Sequence, residues 1–175
     1  MILKNRVKLF FSLFLLVILG CANAEKQPEQ LLLSKNIVLH YEQPDNISHS
    51  WRTLILKYPD WYFSHEVVDP KTMYAGIDLT GLLQDYIRSI FDPEAREALP
   101  AGWLEELARE QSAAFGIKDG NAALMEKGFG SLYHMFNKEE GRGEIFILEE
   151  NQAHWLQVHS SKEQFQDLIE NIKER

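Results

Sequence analysis

The residues with the most chemical potential in this sequence are its six histidines, because a neutral imidazole can ligate a metal or move a proton near neutral pH. They are His40, His49, His65, His134, His154 and His159. His154 and His159 are five residues apart on a predicted strand, so their side chains should lie on opposite faces. No pair shows the i, i+4 helical spacing or the Cys/His spacing of a zinc motif. We therefore predict no metal site and no cofactor.

The histidines of the C-terminal third still leave one catalytic alternative open. His134, His154 and His159 could serve a small enzyme or a metal-binding protein if two of the three imidazoles came close together. Separation of the three would favour a protein without chemistry of its own.

Other reactive groups give weaker patterns. No Gly-x-Ser-x-Gly nucleophile elbow is present, and Gly128-Phe129-Gly130-Ser131 lacks the strand and helix context of a phosphate loop. Three pairs of acidic residues are expected in turns or on exposed helix faces as solvated charge. These pairs are Glu105-Glu106, Glu139-Glu140 and Glu149-Glu150. We predict no catalytic residue from these patterns.

A dense aromatic segment is the strongest candidate for a binding surface. Five large rings lie within thirteen residues, at positions 51–63, more than one strand-turn-strand unit needs for its core. Because Trp and Tyr are enriched in interface hot spots, four of them form the candidate surface. These four are Trp51, Tyr58, Trp61 and Tyr62. The alternative is that such rings fill the core, and for Trp61 we favour the core.

The N-terminus predicts export. Lys4, Arg6 and Lys8 form a positive region, and residues 9–19 are apolar except for Ser12. This order, followed by small residues, is typical of a secretory signal, and the apolar run is short for a membrane span. We predict a signal peptide over residues 1–24, a tether over 25–35 and a single domain over 36–175.

The only cysteine of the chain, Cys21, lies at the predicted cleavage region. Ile18-Leu19-Gly20-Cys21 resembles the bacterial lipobox, in which the cysteine is lipidated and becomes the new N-terminus. Ala22-Asn23-Ala24 also fits ordinary signal peptidase, so cleavage after Ala24 stays open. A lone cysteine cannot form an internal disulfide, and an exposed free thiol is reactive in an oxidising compartment. Because lipidation would remove this reactive group, we favour lipidation of Cys21. The prediction is an envelope location in the periplasm, as an outer-membrane lipoprotein.

Export changes the charge of the working protein. The full chain has 18 basic and 26 acidic residues, and the segment before Cys21 holds three basic and no acidic residues. The mature chain therefore has 15 basic and 26 acidic residues and a formal charge of −11. A strongly acidic chain argues against a nucleic acid partner and permits a basic protein partner.

The elements that must position these residues predict an α+β fold. Strands are expected at 37–42, 53–58, 63–68, 131–137, 144–149 and 153–159. Helices are expected from residue 79 with Asp78 as N-cap, after Asp92-Pro93, from about Ala101 to Gly116, and at the C-terminus behind a Ser160/Glu163 capping box. The result is an antiparallel sheet with a helical block in the middle of the chain and a C-terminal helix packed on a three-stranded meander.

Tyr58-Pro59-Asp60-Trp61 after an apolar strand resembles the opening of the PsbP/Mog1-like domains. The order of elements from 37 to 172 is similar to the rest of that fold. The resemblance implies an α/β/α sandwich with a binding role and transfers no catalytic residues. Together with export and acidity, it leads us to expect a non-enzymatic envelope protein that acts through a protein partner, for which a toxin-immunity role is one version.

Overall fold

The computed structural model describes residues 28–117 and 120–175. Its strands are β1 (Glu29–Leu32), β2 (Ile37–Tyr41), β3 (Asn46–Ser50), β4 (Thr53–Lys57), β5 (Tyr62–Val67), β6 (Ala122–Lys127), β7 (Gly130–Asn137), β8 (Arg142–Leu148), β9 (Ala153–His159) and β10 (Ile172–Glu174). Its helices are α1 (Leu83–Phe91), α2 (Pro93–Glu97), α3 (Gly102–Ala114) and α4 (Lys162–Glu170).

The strands form two antiparallel sheets. The large sheet has seven strands in the order β3-β4-β5-β9-β8-β7-β6, and the small sheet has three in the order β1-β2-β10. The chain enters the large sheet at one side with β3 to β5 and returns at the other with β6 to β9. Because β9 pairs with both β5 and β8, it joins the two halves. The predicted α+β class, with a mid-chain helical block and a C-terminal helix behind a meander, is confirmed.

The large sheet packs against other elements on both faces, which explains the two apolar cores, although its edge strand β3 is exposed along its whole length. One face packs against β2 and α4 through Leu39, Phe165 and Ile169, among others, and we call it the small-sheet face. The other packs against α1 and α3 through Ile87 and Leu104, and we call it the helix face. The central strand β8 is buried on both sides, as its continuous apolar sequence predicts.

The helix boundaries correct two predicted caps. Asp78 does not cap α1, because its carboxylate accepts a hydrogen bond from the Thr80 amide in a turn before that helix begins. The capping box of α4 is formed by Ser161 and Gln164, one residue later than predicted. Helix α2 begins at Pro93 as expected, and the Asp92 side chain caps it by accepting from the Glu94 amide.

Four strands were missed because their sequences carry few apolar residues or are short. They are β1, β3, β6 and β10. Strand β1 also corrects the predicted tether over 25–35, since residues 29–32 pair with β2 and Leu33 is buried.

The predicted signal peptide and Cys21 lie outside the described residues. Within the described ranges, 28–117 and 120–175, no helix is long and apolar enough to cross a membrane.

Candidate functional site

The four aromatic residues predicted as a binding surface divide between core and solvent. Trp51 is 89% exposed and Tyr62 is 44% exposed. Tyr58 is buried, so its assignment to the surface is wrong. Trp61 is partly buried and packs against the core of the small-sheet face. Only Trp51 and Tyr62 remain available to a partner.

The burial of Tyr58 follows from the loop between β4 and β5. The Tyr58 amide donates to the Trp61 carbonyl at 2.9 Å, and the two rings stack at 4.2 Å with an interplanar angle of 4°. The Tyr58 hydroxyl donates to the Glu42 carbonyl at 3.0 Å, which satisfies the polar end of a buried ring. Pro59 and Asp60 form the exposed tip between these rings. The aromatic pair therefore closes the edge of the core.

Trp51 has the opposite role at the tip of the β3–β4 hairpin. Ser50 pairs with Thr53, so Trp51 and Arg52 form a two-residue loop. Trp51 has φ 55, the only positive φ of a non-glycine residue in the described part of the chain. A positive φ at the first central residue alone is the pattern of a type II′ turn, in which glycine is preferred. A bulky residue in this conformation costs about 1–2 kcal/mol.

The hairpin tip is held in place by Arg52, the residue that follows Trp51. The Arg52 guanidinium donates to the Asp69 carboxylate at 2.7 Å and to the Thr72 hydroxyl at 3.3 Å. The hydrogen bond from Arg52, together with one from the Lys71 amide, lowers the pKa of Asp69. Arg52 therefore fixes the loop that presents Trp51 to solvent.

The strand behind Trp51 is an edge with little protection. All five residues of β3 are exposed, and its sequence Asn-Ile-Ser-His-Ser contains no charged residue and no proline. Ile47 is 56% exposed. Natural sheets usually protect an edge with charges, proline or a bulge, because free amide and carbonyl groups invite pairing. We call residues 46–51 the β3 edge surface.

A second constellation links two histidines and a carboxylate on the small-sheet face. Nε2 of His65 lies 3.1 Å from Nδ1 of His154, and the two rings stack at 5.3 Å. Nε2 of His154 lies 3.0 Å from Oε2 of Glu149. His154 is fully buried, and Glu149 is nearly so. The three groups form a continuous hydrogen-bonded relay.

Glu149 is the anchor of this relay. Its Oε1 accepts from the Ser34 hydroxyl and the Asn36 amide, both at 3.0 Å, while its Oε2 also accepts from Gln152 at 2.6 Å. Burial alone would raise the pKa of Glu149, but the hydrogen bonds from Gln152, His154, Asn36 and Ser34 outweigh it and lower the pKa to about 2. The Glu149 side chain is therefore a carboxylate throughout the physiological range.

The same residue connects all three layers of the protein. Ser34 and Asn36 belong to the loop between β1 and β2, and His154 belongs to β9 of the large sheet. The backbone carbonyl of Glu149 accepts a hydrogen bond from Gln84 of α1. Glu149 thus holds the small sheet, the large sheet and the helical layer at one point.

The charge on Glu149 determines the direction of the relay. Because a carboxylate accepts only, His154 must donate from Nε2, and its Nδ1 then accepts from Nε2 of His65. Nδ1 of His65 is left as an acceptor without a hydrogen-bond partner among the described residues. Since none of those residues holds a buried side-chain nitrogen or oxygen without a partner, this nitrogen is accessible to solvent.

Acid should destabilise the fold through this relay. Burial, followed by the neighbouring His154, lowers the pKa of His65 from 6.5 to about 4. The unfolded chain then binds a proton at this residue between pH 6.5 and 4 that the folded protein does not bind, so stability falls as pH falls through that window. We expect a loss of about 2–3 kcal/mol, which allows for the partial exposure of the ring. Urea unfolding at pH 7, 5.5 and 4 measures this loss. In His65→Gln the free energy of unfolding should depend less on pH. An equal dependence in the variant and the wild-type protein would contradict the prediction.

The three histidines of the C-terminal third are not brought together. His134 packs edge-on against Phe165, and His159 stacks on Tyr62 at 5.5 Å. His154 and His159 lie on opposite faces of β9, as predicted, with His154 buried and His159 exposed. Within the described residues no group of three or more His, Cys, Asp or Glu side chains could hold a metal ion.

Two members of the relay were missed from the sequence. Glu149 was expected to be solvated with Glu150, and His65 was expected on the strand at 63–68, with no predicted link to His154. Strand β5 pairs with β9 so that Val67 lies opposite His154. His65 is two residues from Val67 on the same face of β5, so its ring can contact His154 diagonally. No local pattern could reveal this, because the two histidines are 89 residues apart.

A second buried carboxylate lies on the opposite face of the sheet. Glu144 is fully buried and accepts hydrogen bonds from the Trp155 indole at 2.7 Å and from the Arg142 guanidinium at 2.8 Å. Burial raises the pKa of Glu144, and the two donors oppose this effect. Every partner of this carboxylate comes from the neighbouring strands β8 and β9, so its role is to join them.

Comparison with known proteins gave no match to a family model, to a curated protein or to a solved structure.

Proposed function

We propose that this chain is a non-enzymatic, lipid-anchored envelope protein that holds a protein partner at the β3 edge surface. The main observation that supports this proposal is Trp51, a large apolar ring that is 89% exposed and has a backbone conformation suited to glycine. Strain of this kind persists where the residue serves a function other than stability. The separation of His134, His154 and His159 also favours binding over chemistry.

The proposed contact is strand addition. An extended segment of the partner would pair with the free amide and carbonyl groups of β3, and Trp51 would insert at the end of that strand. The main-chain bonds supply affinity, while Trp51 and Ile47 supply apolar anchors. The β3 edge surface has no charge of its own, so the −11 charge of the mature chain acts at longer range and favours a basic partner. A toxin neutralised in the periplasm is one partner of this kind.

Replacing Trp51 by glycine should separate binding from stability. Trp51→Gly removes the exposed ring and relieves the positive φ, so the free energy of unfolding should stay the same or rise by up to about 1 kcal/mol. Partner binding should weaken by about 2 kcal/mol or more, the scale of a hot spot. Urea unfolding and a quantitative pull-down from solubilised envelopes measure the two effects.

The matched control is Trp103→Ala, because Trp103 is also exposed, at 56%, but lies on α3 away from β3. This variant should leave capture unchanged and change the free energy of unfolding by no more than about 1 kcal/mol. A photo-crosslinking amino acid at position 47 should yield an adduct in living cells, whereas one at position 103 should not. Equal adducts at the two positions, or unchanged capture by Trp51→Gly, would contradict the proposed surface.

The proposed anchor predicts a lipid on Cys21. The wild-type protein should label with a palmitate analogue and sediment with membranes, and Cys21→Ser should abolish both. Ala22→Ser is a suitable control, because it changes the neighbouring residue and keeps the thiol. Unlabelled wild-type protein in the soluble periplasmic fraction would contradict the lipid anchor and leave cleavage after Ala24 as the alternative.

Acid–base chemistry at His65 is a second candidate function. The observation that favours it is the relay from Glu149 through His154, which orients a neutral imidazole with Nδ1 open to solvent. Such a group can act as a general base. Hydrolysis of p-nitrophenyl acetate should then fall to the background rate in His65→Gln but not in His40→Gln. Equal rates in the two variants would exclude this candidate.

A further inference from the structure

A groove on the opposite side of the large sheet from β3 combines an apolar floor with two cations. It has a volume of about 340 Å³ and lies between strands β6 and β7 and helix α4. This volume is at the lower end of the range of small-molecule pockets. The side chains used below are Ala123, His134, Phe136, Lys138, Lys162 and Phe165, all of which line it.

The floor of the groove is aromatic. The rings of Phe136 and Phe165 lie 4.9 Å apart, and the imidazole of His134 meets Phe165 edge-on at 6.0 Å. Phe165 is anchored in the core, so the floor is fixed by α4. Ala123 lies opposite His134 on the edge strand β6, where its small side chain leaves the groove open. A flat or extended apolar body fits this shape.

Two lysines supply positive charge at the groove. Neither Lys138 nor Lys162 forms an ion pair within the described residues. The pKa of Glu163 is lowered by hydrogen bonds from its own amide and from Ser161 and, to a smaller extent, by the charges of Lys138 and Lys162. Both lysines line the same groove, and the charges of both act on the Glu163 carboxylate.

The imidazole of His134 adds a neutral hydrogen-bonding group. Burial lowers the pKa of His134, so the ring is uncharged at neutral pH and presents one donor and one acceptor. Its nitrogens make no hydrogen bond to any described residue, and none of the buried polar atoms there lacks a partner. The ring nitrogens are therefore accessible from the groove, and one N–H can donate to a bound oxygen.

We propose that this groove binds a small amphipathic monoanion, such as an alkyl or aryl carboxylate, with its apolar body on Phe136 and Phe165 and its acid group between Lys138 and Lys162. The two lysines are complementary in charge to the acid group, and the aromatic floor suits the apolar body. The groove is independent of the β3 edge surface, because β3 and β6 are the two opposite edges of the large sheet.

Titration of the protein with octanoate tests the proposal, with octanol and octylamine as probes of equal chain length. Wild-type protein should bind octanoate at least tenfold more tightly than either analogue, as followed by amide chemical shifts in β6, β7 and α4. Lys138→Gln/Lys162→Gln should weaken octanoate at least tenfold and leave octanol unchanged. The matched control Lys35→Gln/Lys57→Gln, at two exposed lysines elsewhere, should bind as wild type does.

Filling the groove gives an independent test. Ala123→Phe should abolish octanoate binding while the melting temperature stays unchanged, because residue 123 is exposed on an edge strand. Equal affinity for octanoate and octanol, equal weakening by both lysine pairs, or shifts confined to other parts of the domain would each overturn the proposal.

Discussion

Glu149→Gln is expected to lower the free energy of unfolding by about 3 kcal/mol or more, the largest effect of any single substitution of one polar group in this protein. Oε1 of Glu149 accepts from Ser34 and Asn36, and Oε2 accepts from Gln152 and His154. Glutamine keeps one acceptor oxygen and converts the other into an NH₂ group that faces two donors. Hydrogen bonds to a charged group contribute about 1.5–3 kcal/mol each, and buried donors left without a partner add a further penalty.

The adjacent Glu150→Gln is the control for this substitution. Glu150 is exposed, so its replacement should change stability by no more than about 0.5 kcal/mol. Urea unfolding of both variants at pH 7 measures the difference. Because Glu149 also holds Ser34 and Asn36, hydrogen exchange should increase first in β1 and β2 of the variant. Equal stability of the two variants would mean that the relay does not join the layers.

Trp61→Ala is expected to lower the free energy of unfolding by about 3 kcal/mol. The replacement removes a ring that packs against the core and the stack on Tyr58 at 4.2 Å. Loss of a buried Trp typically costs about 3–5 kcal/mol, and partial exposure of Trp61 places the effect at the lower end. About 0.5–1.5 kcal/mol of it comes from the aromatic pair. The Tyr58 ring would also become accessible to solvent at the edge of the core.

Comparison with Trp103→Ala distinguishes core from surface tryptophan. Trp103 is 56% exposed on α3, so the same substitution there should change stability by no more than about 1 kcal/mol. Thermal unfolding of the two variants beside wild type decides the matter, and near-ultraviolet circular dichroism reports the loss of the Tyr58–Trp61 stack. An unchanged melt for Trp61→Ala would return Trp61 to the binding surface.

The substitutions at Trp51 and Trp61 therefore have opposite expected signs although both residues belong to one aromatic segment. Trp61 lies in a loop whose backbone closes on itself through the Tyr58–Trp61 hydrogen bond, which turns the rings toward the core. Trp51 lies in a two-residue turn with positive φ, which leaves its ring in solvent. The geometry of the two turns therefore determines which tryptophan is exposed and which packs against the core.

The sequence by itself determined the fold class and the elements with strong apolar periodicity. Strand β8 is apolar at every position from Ile145 to Leu148, which predicts burial on both faces, and α4 carries an apolar stripe that predicts its packing on the sheet. Asp92-Pro93 was sufficient to place the start of α2. These features depend on neighbours within a few residues, so local sequence contains the information.

Tertiary structure alone decided the polar site and the edges of the sheet. The local sequence around Glu149 is typical of a solvated turn. Its carboxylate gains hydrogen bonds from Ser34 and Asn36 only because the β1–β2 loop packs over it. His65 met His154 because β5 pairs with β9 across a separation of 89 residues. Strand β3 has no apolar alternation because all five of its residues are exposed, and it joins the sheet through main-chain pairing with β4. Side chains that contact a core produce a periodic apolar pattern in the sequence. The pairing of two strands by main-chain hydrogen bonds produces no such pattern, so it cannot be predicted from local sequence.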